Sequence, residues 1–347
     1  MSLEILHRAA PCRNVLVTFT LDCTGNVMSW LLDRLFTHHD QPKPRFAFQG
    51  TVNWLRALAI ASSPPDFEDA ALRPFFAHVT RRTPNQSADT LAFECLLMAM
   101  AQVASARHLS AATGNVYDAC RSAIVAWYYA IYYAGKAMLA ARTGADPQTH
   151  TEAARIFQTE IVGPGLTKYP FDLSVTGLVP AAVQSAIDAL RRGSTADLNT
   201  VPTSALEARG ALCSYLKGTC EYRQWELEER VKKSGPFRAL GVTDFRRAAA
   251  RALRNAALAP ESVNFLSQAF RYRGKANYRD AIYLSYGANN AVSVGTLNAD
   301  LAVSATAFVR MAAHYVSRRV EAGTWADYAA DVMAQARFTP PFDLGAI

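Results

Sequence analysis

Lysines and arginines, the residue types that bind phosphate, are concentrated in one stretch of this chain. Within residues 232–280, eleven lysines and arginines are opposed by three acidic residues, an excess of +8 in a chain of 347 residues with a net charge of +7. A guanidinium binds two phosphate oxygens with its planar fork and stays charged throughout the physiological pH range. The stretch therefore predicts a phosphate-rich or otherwise acidic partner, or else an acidic surface within an oligomer.

Two groups of basic residues in this stretch are candidate nucleic-acid contacts. One is a stripe at helical spacing, and the other alternates with tyrosines, an arrangement that suits single-stranded RNA and also occurs at dimer interfaces. The first group is Arg247, Arg251 and Arg254; the second is Arg271, Arg273, Lys275 and Arg279, beside Tyr272 and Tyr278. Lys136, the one charge in an apolar, tyrosine-rich segment, is a further candidate, for which a cation–π contact with a neighbouring tyrosine is the simpler explanation.

The sequence lacks the residue patterns typical of metal, nucleotide-cofactor and hydrolase sites. The six cysteines include no Cys-x-x-Cys pair, and no acidic cluster has metal-site spacing. Phosphate-loop, dinucleotide-binding, zinc-protease and serine-hydrolase motifs are absent as well. We therefore predict neither a metal nor a cofactor, and we expect the cysteines to be small core residues in a reducing compartment.

The segment expected to organise the fold is the tyrosine-rich one at 124–141. Its tyrosines follow one another at i, i+1, i+4 and i+5, so Tyr128 should stack on Tyr132, and Tyr129 on Tyr133, along a helix. A helix so apolar and aromatic must be buried on most sides. We expect it to be the central rod of a helical domain.

Helix signals on either side complete this domain. The expected helices are an apolar one at 91–109, one from Thr149 or Thr151 to about 160, a long one that starts at the capping box of Ser204 and Glu207 and ends near 233, and a closing helix at 297–321. Residues 161–202 are rich in glycine, proline and threonine, with one further helix.

The fold class that follows from these signals is mainly α. We expect residues 1–86 to form a small N-terminal unit of unknown role with a strand at 14–21, and residues 87–347 to form a helical domain with an insertion at about 161–260. No apolar run reaches the roughly 20 residues of a membrane span, and no secretory signal begins the sequence. We therefore expect a cytoplasmic protein without a membrane partner.

Two of these segments resemble the HEPN domain (higher eukaryotes and prokaryotes nucleotide-binding). The run WYYAIYYAGKAMLAARTG is followed by Pro147 and by His150 at the start of the next helix, a pattern similar to that of many HEPN sequences. Arg273-Gly-Lys-Ala-Asn-Tyr278 resembles the R-x-x-A-D-Y segment that precedes the closing helix of such domains. The resemblance covers residues 88–160 and 261–322 and implies an antiparallel helical bundle.

The resemblance also implies an activity, because active HEPN proteins are metal-independent ribonucleases that usually act as dimers. Their R-x4–6-H motif supplies a histidine base for the ribose 2′-hydroxyl and an arginine for the phosphate. The sequence holds two pairs at this spacing, Arg34 with His39 and Arg73 with His78, which is the number expected by chance. Both pairs lie outside the HEPN-like segments.

The HEPN-like segment departs from the family at the position of the base. Toxin-type members resemble R-x4-H-x-Y, and here Arg271 and Tyr278 match its ends, whereas Ala276 stands where histidine is expected. A methyl group cannot take a proton, so catalysis would need a histidine from elsewhere in the fold beside Arg271 or Arg273. The best candidates are His150, for which a local capping or turn role is the favoured interpretation, and His314.

Three functions remain open on the sequence. The first is a HEPN-like protein, expected to be a homodimer, that binds RNA or a nucleotide in a bacterial defence or toxin–antitoxin setting. The second is a metal-independent endoribonuclease with His150, Arg271, Arg273, Tyr278 and His314 as its candidate residues. The third is a non-enzymatic interaction protein whose basic segment binds an acidic protein partner.

Overall fold

The computed structural model of this chain describes residues 44–63, 65–112, 114–277, 286 and 294–347. Apart from residue 286, these residues belong to one unit, Pro42–Ser285 with Ala291–Ile347. The predicted strand at 14–21 lies outside the described residues.

Within the described ranges the fold is mainly α, as predicted. Its elements in chain order are α1 (Pro44–Ala61), α2 (Asp69–Phe75), α3 (Gln86–Ala111), α4 (Val116–Thr143), α5 (His150–Phe157), a π-helical turn (Gln158–Val162), β1 (Val175–Thr176), α6 (Pro180–Arg191), α7 (Ala205–Lys232), α8 (Gly235–Ala239), α9 (Ala248–Leu258), β2 (Ser262–Val263), α10 (Phe265–Asn277), α11 (Leu297–Arg319) and α12 (Ala322–Gln335). The two short strands pair antiparallel, with Val175 opposite Val263.

Helix α4 is the tyrosine-rich rod, and it is buried along most of its length. The tyrosine rings stack as the spacing predicts, Tyr128 on Tyr132 and Tyr129 on Tyr133, each with ring centroids 6.0 Å apart. The helix ends at Gly144, whose φ of 77° is the left-handed conformation that glycine adopts without strain.

The described parts of segments 88–160 and 261–322 come together around this rod. Helix α11 packs along α4 and α3, and the Trp127 indole Nε1 donates a hydrogen bond of 3.0 Å to Ser304 Oγ. Near the first turns of α4 and α11, the Asn298 amide donates to the Val116 carbonyl at 3.4 Å. At the other end, Arg82, just before α3, donates to Ala141 of α4. Helices α4 and α11 therefore run in the same direction, and α3 runs against both.

One described helix, α3, has the length and apolar composition of a membrane span. From the sequence we expected no such segment. Helix α3 starts after an Asn85 cap and packs against α4 and α11. A core helix of a folded bundle has such surroundings, and core helices can also have the length and apolar composition of a membrane span. The cytoplasmic location stays a prediction.

The segment before the bundle and the insertion pack against each other. Helix α1 lies against α7, with the Trp54 and Tyr215 rings stacked at 4.0 Å. Trp54 also makes an edge contact with Trp127 of the rod, at 5.7 Å between ring centroids. The prediction of a separate unit over 1–86 is therefore corrected: residues 44–63 and 65–86 belong to the helical unit, because their apolar side chains are buried in its core.

Two glycines of α7 allow a test of how closely the preceding loop packs on this helix. A β-carbon on Gly210 would lie 2.5 Å from the Ala196 carbonyl oxygen, whereas one on Gly218 would meet nothing within 4 Å. We expect Gly210→Ala to lower the free energy of unfolding by about 1–3 kcal/mol, since backbone atoms must move. Gly218→Ala should raise it by up to about 1 kcal/mol because alanine favours the helix. Urea unfolding of both variants measures the difference, and equal stabilities would contradict the close approach at Gly210.

Candidate functional site

His150 and Arg273, which are distant in the sequence, meet in the folded chain. Arg273 Nη1 lies 3.2 Å from His150 Nε2, and the Tyr128 hydroxyl lies 2.6 Å from His150 Nδ1. The three side chains come from α5, α10 and α4 respectively. We call this cluster, with the flanking rings of Tyr132 and Phe270, the His150 site.

The helix start explains how His150 is held. The Thr149 side chain caps α5 by accepting a hydrogen bond from the Glu152 amide, at 3.2 Å. His150 is thus the first residue of the helix and is not its cap. The favoured interpretation of a local capping histidine is corrected, because Thr149 does the capping and the imidazole is bound by Tyr128 and Arg273 instead.

The hydrogen bonds fix the protonation of His150. A guanidinium only donates, so Nε2 must accept from Arg273, and the neutral ring carries its proton on Nδ1, which donates to the Tyr128 oxygen. Burial, and then the charges of Arg273 and Lys136, lower the pKa of His150 below its ordinary value of 6.5. At neutral pH the imidazole is therefore uncharged and has a lone pair directed towards the guanidinium.

Aromatic rings surround the pair on the exposed side. The His150 ring lies 4.9 Å from the Phe270 ring, nearly parallel to it, and 4.5 Å from the Tyr132 ring. The Arg273 guanidinium lies 5.3 Å from the centre of the Tyr128 ring. His150 and Arg273 are half-buried, and Phe270 is 38% exposed, so a ligand can reach the site from solvent.

The charge at the site is positive. Lys136 pairs with Asp146 at 2.5 Å, while Arg273 has no carboxylate partner among the described residues. The Arg273 Nε–H is buried without a hydrogen-bond partner in the described part of the chain. A buried donor left unpaired costs free energy. The cluster therefore presents a guanidinium and an uncharged imidazole to an anion.

Arg271 lies apart from His150, although it was a catalytic candidate. Its Nη1 donates to the Gly218 carbonyl at 2.7 Å and lies 3.2 Å from Thr219 Oγ1, both on α7. Residues i and i+2 of a helix point to different sides, so only one of the two arginines of α10 can face α5. That arginine is Arg273.

His314 makes different contacts. Its side chain is 1% exposed, and Nε2 lies 2.9 Å from Asp69 Oδ1 of α2. Burial lowers the pKa of His314, against the opposing effect of the hydrogen bond to Asp69. Closed off from solvent and bound to a carboxylate, this histidine contributes to the packing of α2 on α11.

The other candidates occupy separate positions. Arg247 and Arg251 are exposed at the start of α9, and Arg254 lies 3.7 Å from Glu228. The helix begins at Ala248 with Arg247 as its N-terminal cap. Lys275 lies on α10, but its side chain is not among the described parts of the chain. Tyr278 and Arg279 lie outside the described residues entirely.

Residues that coordinate metals are not grouped in the described ranges, where no cluster of three or more His, Cys, Asp or Glu side chains occurs. The four described cysteines are buried and free, as expected of core residues: Cys95, Cys120, Cys213 and Cys220. Burial raises the pKa of the Cys95 and Cys120 thiols to about 11, so neither is a thiolate at neutral pH.

Two residues of the site are not among the candidates from the sequence. The tyrosines of α4 are predicted to be mostly core residues with one or two hydroxyls reaching a groove; Tyr128 is buried, and its hydroxyl binds the imidazole. Phe270 was not singled out, although it lies one helical turn before Arg273 and so shares its side of α10. A search for aromatic residues one turn from each arginine would have found it.

In comparisons with known proteins, no family model, no curated protein and no solved structure matches the chain.

Proposed function

We propose that this chain is a HEPN-like protein that binds RNA or a nucleotide through a phosphate at the His150 site. The observation that carries the proposal is the 3.2 Å contact between Arg273 and His150, far apart in the sequence, in a half-buried cluster with net positive charge. The resemblance to HEPN sequences at both segments supports it independently. The homodimer and the defence setting that the resemblance implies stay predictions.

The side chains suit a phosphate ester better than a simple anion. A guanidinium that lacks a carboxylate partner is free to bind phosphate oxygens in pairs. The Phe270 ring beside it offers a face on which a base can stack. The basic residues of α9 then add a second, more distant region of positive charge.

Binding of labelled single-stranded RNA tests this proposal. We expect binding that weakens steeply with salt, because phosphate contacts release counterions. Arg273→Ala should weaken it roughly tenfold and reduce the salt slope by about one. Arg337→Ala, which removes an exposed arginine outside the site, is the matched control and should bind as the unmodified protein does.

Absent or salt-insensitive binding would contradict the proposal. In that case the remaining candidate is an interaction protein, and the exposed arginines of α9 would be the surface for an acidic partner. Fluorescence anisotropy of labelled RNA and of a labelled acidic protein, each in a salt series, distinguishes an RNA-binding protein from an interaction protein. An interaction protein would bind the acidic protein and not the RNA.

A second candidate function, a metal-independent endoribonuclease, is favoured by the uncharged state of His150. Once a phosphate draws Arg273 away, Nε2 can take the proton of a ribose 2′-hydroxyl. The 2′-oxygen then bonds to phosphorus, the bond from phosphorus to the 5′-oxygen breaks, and the leaving oxygen takes a proton from a water molecule, to which the His150 imidazolium returns the proton it took. The products are a 2′,3′-cyclic phosphate and a 5′-hydroxyl, and Arg273 stabilises the charge on the crowded phosphate.

A further inference from the structure

Two aromatic side chains of the insertion lie side by side in solvent. Tyr222 and Trp225 of α7 are 42% and 56% exposed, and their ring centroids are 5.8 Å apart. Trp225 is the most exposed tryptophan of the described chain. Exposed aromatic neighbours of this kind are typical of surfaces that bind a partner.

Arg271 extends this pair. Its guanidinium lies 4.6 Å from the centre of the Tyr222 ring, and its hydrogen bonds go to the neutral acceptors of Gly218 and Thr219. Within the described residues it has no carboxylate partner, so its charge is not compensated. The contact also fixes α7 of the insertion against α10, the helix that carries Arg273.

Acidic residues near the pair are compensated. Glu221 and Glu229 lie one helical turn on either side of Trp225, and each is paired with a lysine, Lys217 at 3.9 Å and Lys232 at 2.7 Å. Arg271 is the cation that lies against the Tyr222 ring. We call Tyr222, Trp225 and Arg271 the α7 platform.

The α7 platform and the His150 site are joined across the exposed side of α10. Arg271 and Arg273 point about 160° apart around the helix, and Phe270 and Gly274 lie on the arc between them. Phe270 is 38% exposed, Gly274 is half-buried, and a β-carbon on Gly274 would meet nothing within 4 Å. Around the described part of α10, the distance from one arginine to the other on this side is about the width of a helix, roughly 10–12 Å.

We propose that the α7 platform is a second base-binding position for a single RNA strand whose phosphate lies at the His150 site. The strand crosses α10 over Phe270 and Gly274, and an unpaired base stacks on Trp225 and Tyr222 beside the Arg271 charge. This inference rests on the proposed function. It assigns a role to the insertion, which the HEPN resemblance does not cover.

Oligonucleotide length tests the inference. Because 2′-O-methyl RNA lacks the attacking hydroxyl, a labelled dinucleotide and a decanucleotide of this chemistry bind without being cleaved. We expect Trp225→Ala to weaken decanucleotide binding roughly tenfold and to leave dinucleotide binding unchanged, since only the longer strand reaches the platform. Leu206→Ala, an exposed apolar residue on the first turn of the same helix, is the matched control.

Gly274→Glu supplies an independent variant. A β-carbon at this position meets nothing within 4 Å among the described residues, and a carboxylate attached there stands in the proposed path, so the variant should bind the decanucleotide more weakly than the dinucleotide, each relative to the unmodified protein. Trp225→Phe should reduce the quenching of protein fluorescence by the decanucleotide and retain most of the affinity. Decanucleotide binding that is unaffected in Trp225→Ala but weakened in Arg273→Ala would overturn the platform alone. A protein that binds neither oligonucleotide would overturn the proposed function and the platform together.

Discussion

RNA cleavage in the presence of EDTA is expected to fall about 10²–10⁴-fold when His150 is replaced by alanine, the loss typical of removing a general base. The reason is geometric: Nε2 of His150 is an unprotonated nitrogen that lies 3.2 Å from Arg273 Nη1. Single-turnover rates on a labelled single-stranded RNA, corrected for the folded fraction, measure the effect.

Two other histidines serve as controls for this variant. His108→Ala changes an exposed histidine at the end of α3 and should leave the rate unchanged. His314→Ala removes a buried partner of Asp69, so it should lower stability, whereas the rate per folded molecule should stay the same. Loss of cleavage in His314→Ala but not in His150→Ala would show that the catalytic residues lie at the contact between α2 and α11. Intact RNA at high protein concentration would reject the ribonuclease altogether.

The pH dependence of cleavage follows from the lowered pKa of His150. A base must be unprotonated, so kcat/KM should rise with pH through the pKa of His150 and level off above it. Because burial and the charges of Arg273 and Lys136 lower that pKa, the rising limb should lie below pH 6.5 and the rate should be constant around neutrality. Lys136→Met removes one of these charges, and the limb should therefore move to higher pH. A limb that stays in place would show that Lys136 does not act on the base.

Stability should fall by about 3–5 kcal/mol when Trp127 is replaced by alanine, the range for a buried large aromatic residue. The side chain is 0% exposed, donates its indole N–H to Ser304, and makes edge contacts with Trp54 and Phe265 at 5.7 and 6.1 Å. The truncation thus leaves a cavity where α1, α4, α10 and α11 meet, and it removes the indole N–H that donates to the Ser304 hydroxyl of α11.

Trp225→Ala is the matched control for this loss of stability. The same substitution at a side chain that is 56% exposed should change the free energy of unfolding by less than about 1 kcal/mol. Urea unfolding followed by circular dichroism measures both variants. Equal losses at Trp127 and Trp225 would contradict the central position of the rod.

The sequence predicts the helices because their signals are local. The stacking of Tyr128 on Tyr132, the capping box of Ser204 with Glu207 and the closing helix at 297–319 each depend on residues within a few turns, and each is present. Boundaries shift where a different residue caps, as at Asn85 of α3. Burial of four cysteines follows from composition in the same way.

The meeting of His150 with Arg273 was decided by tertiary structure. These residues are separated by the whole insertion, and nothing within one helical turn of Arg273 identifies which histidine approaches it. Which side of α10 faces α5 depends on the packing of Leu266, Phe265 and Tyr272 against the rod and its neighbours. That packing turns Arg273 towards His150 and Arg271 towards α7. The sequence by itself determined that a base and a cation were available; the rotation of one helix, set by long-range apolar contacts, selected the pair.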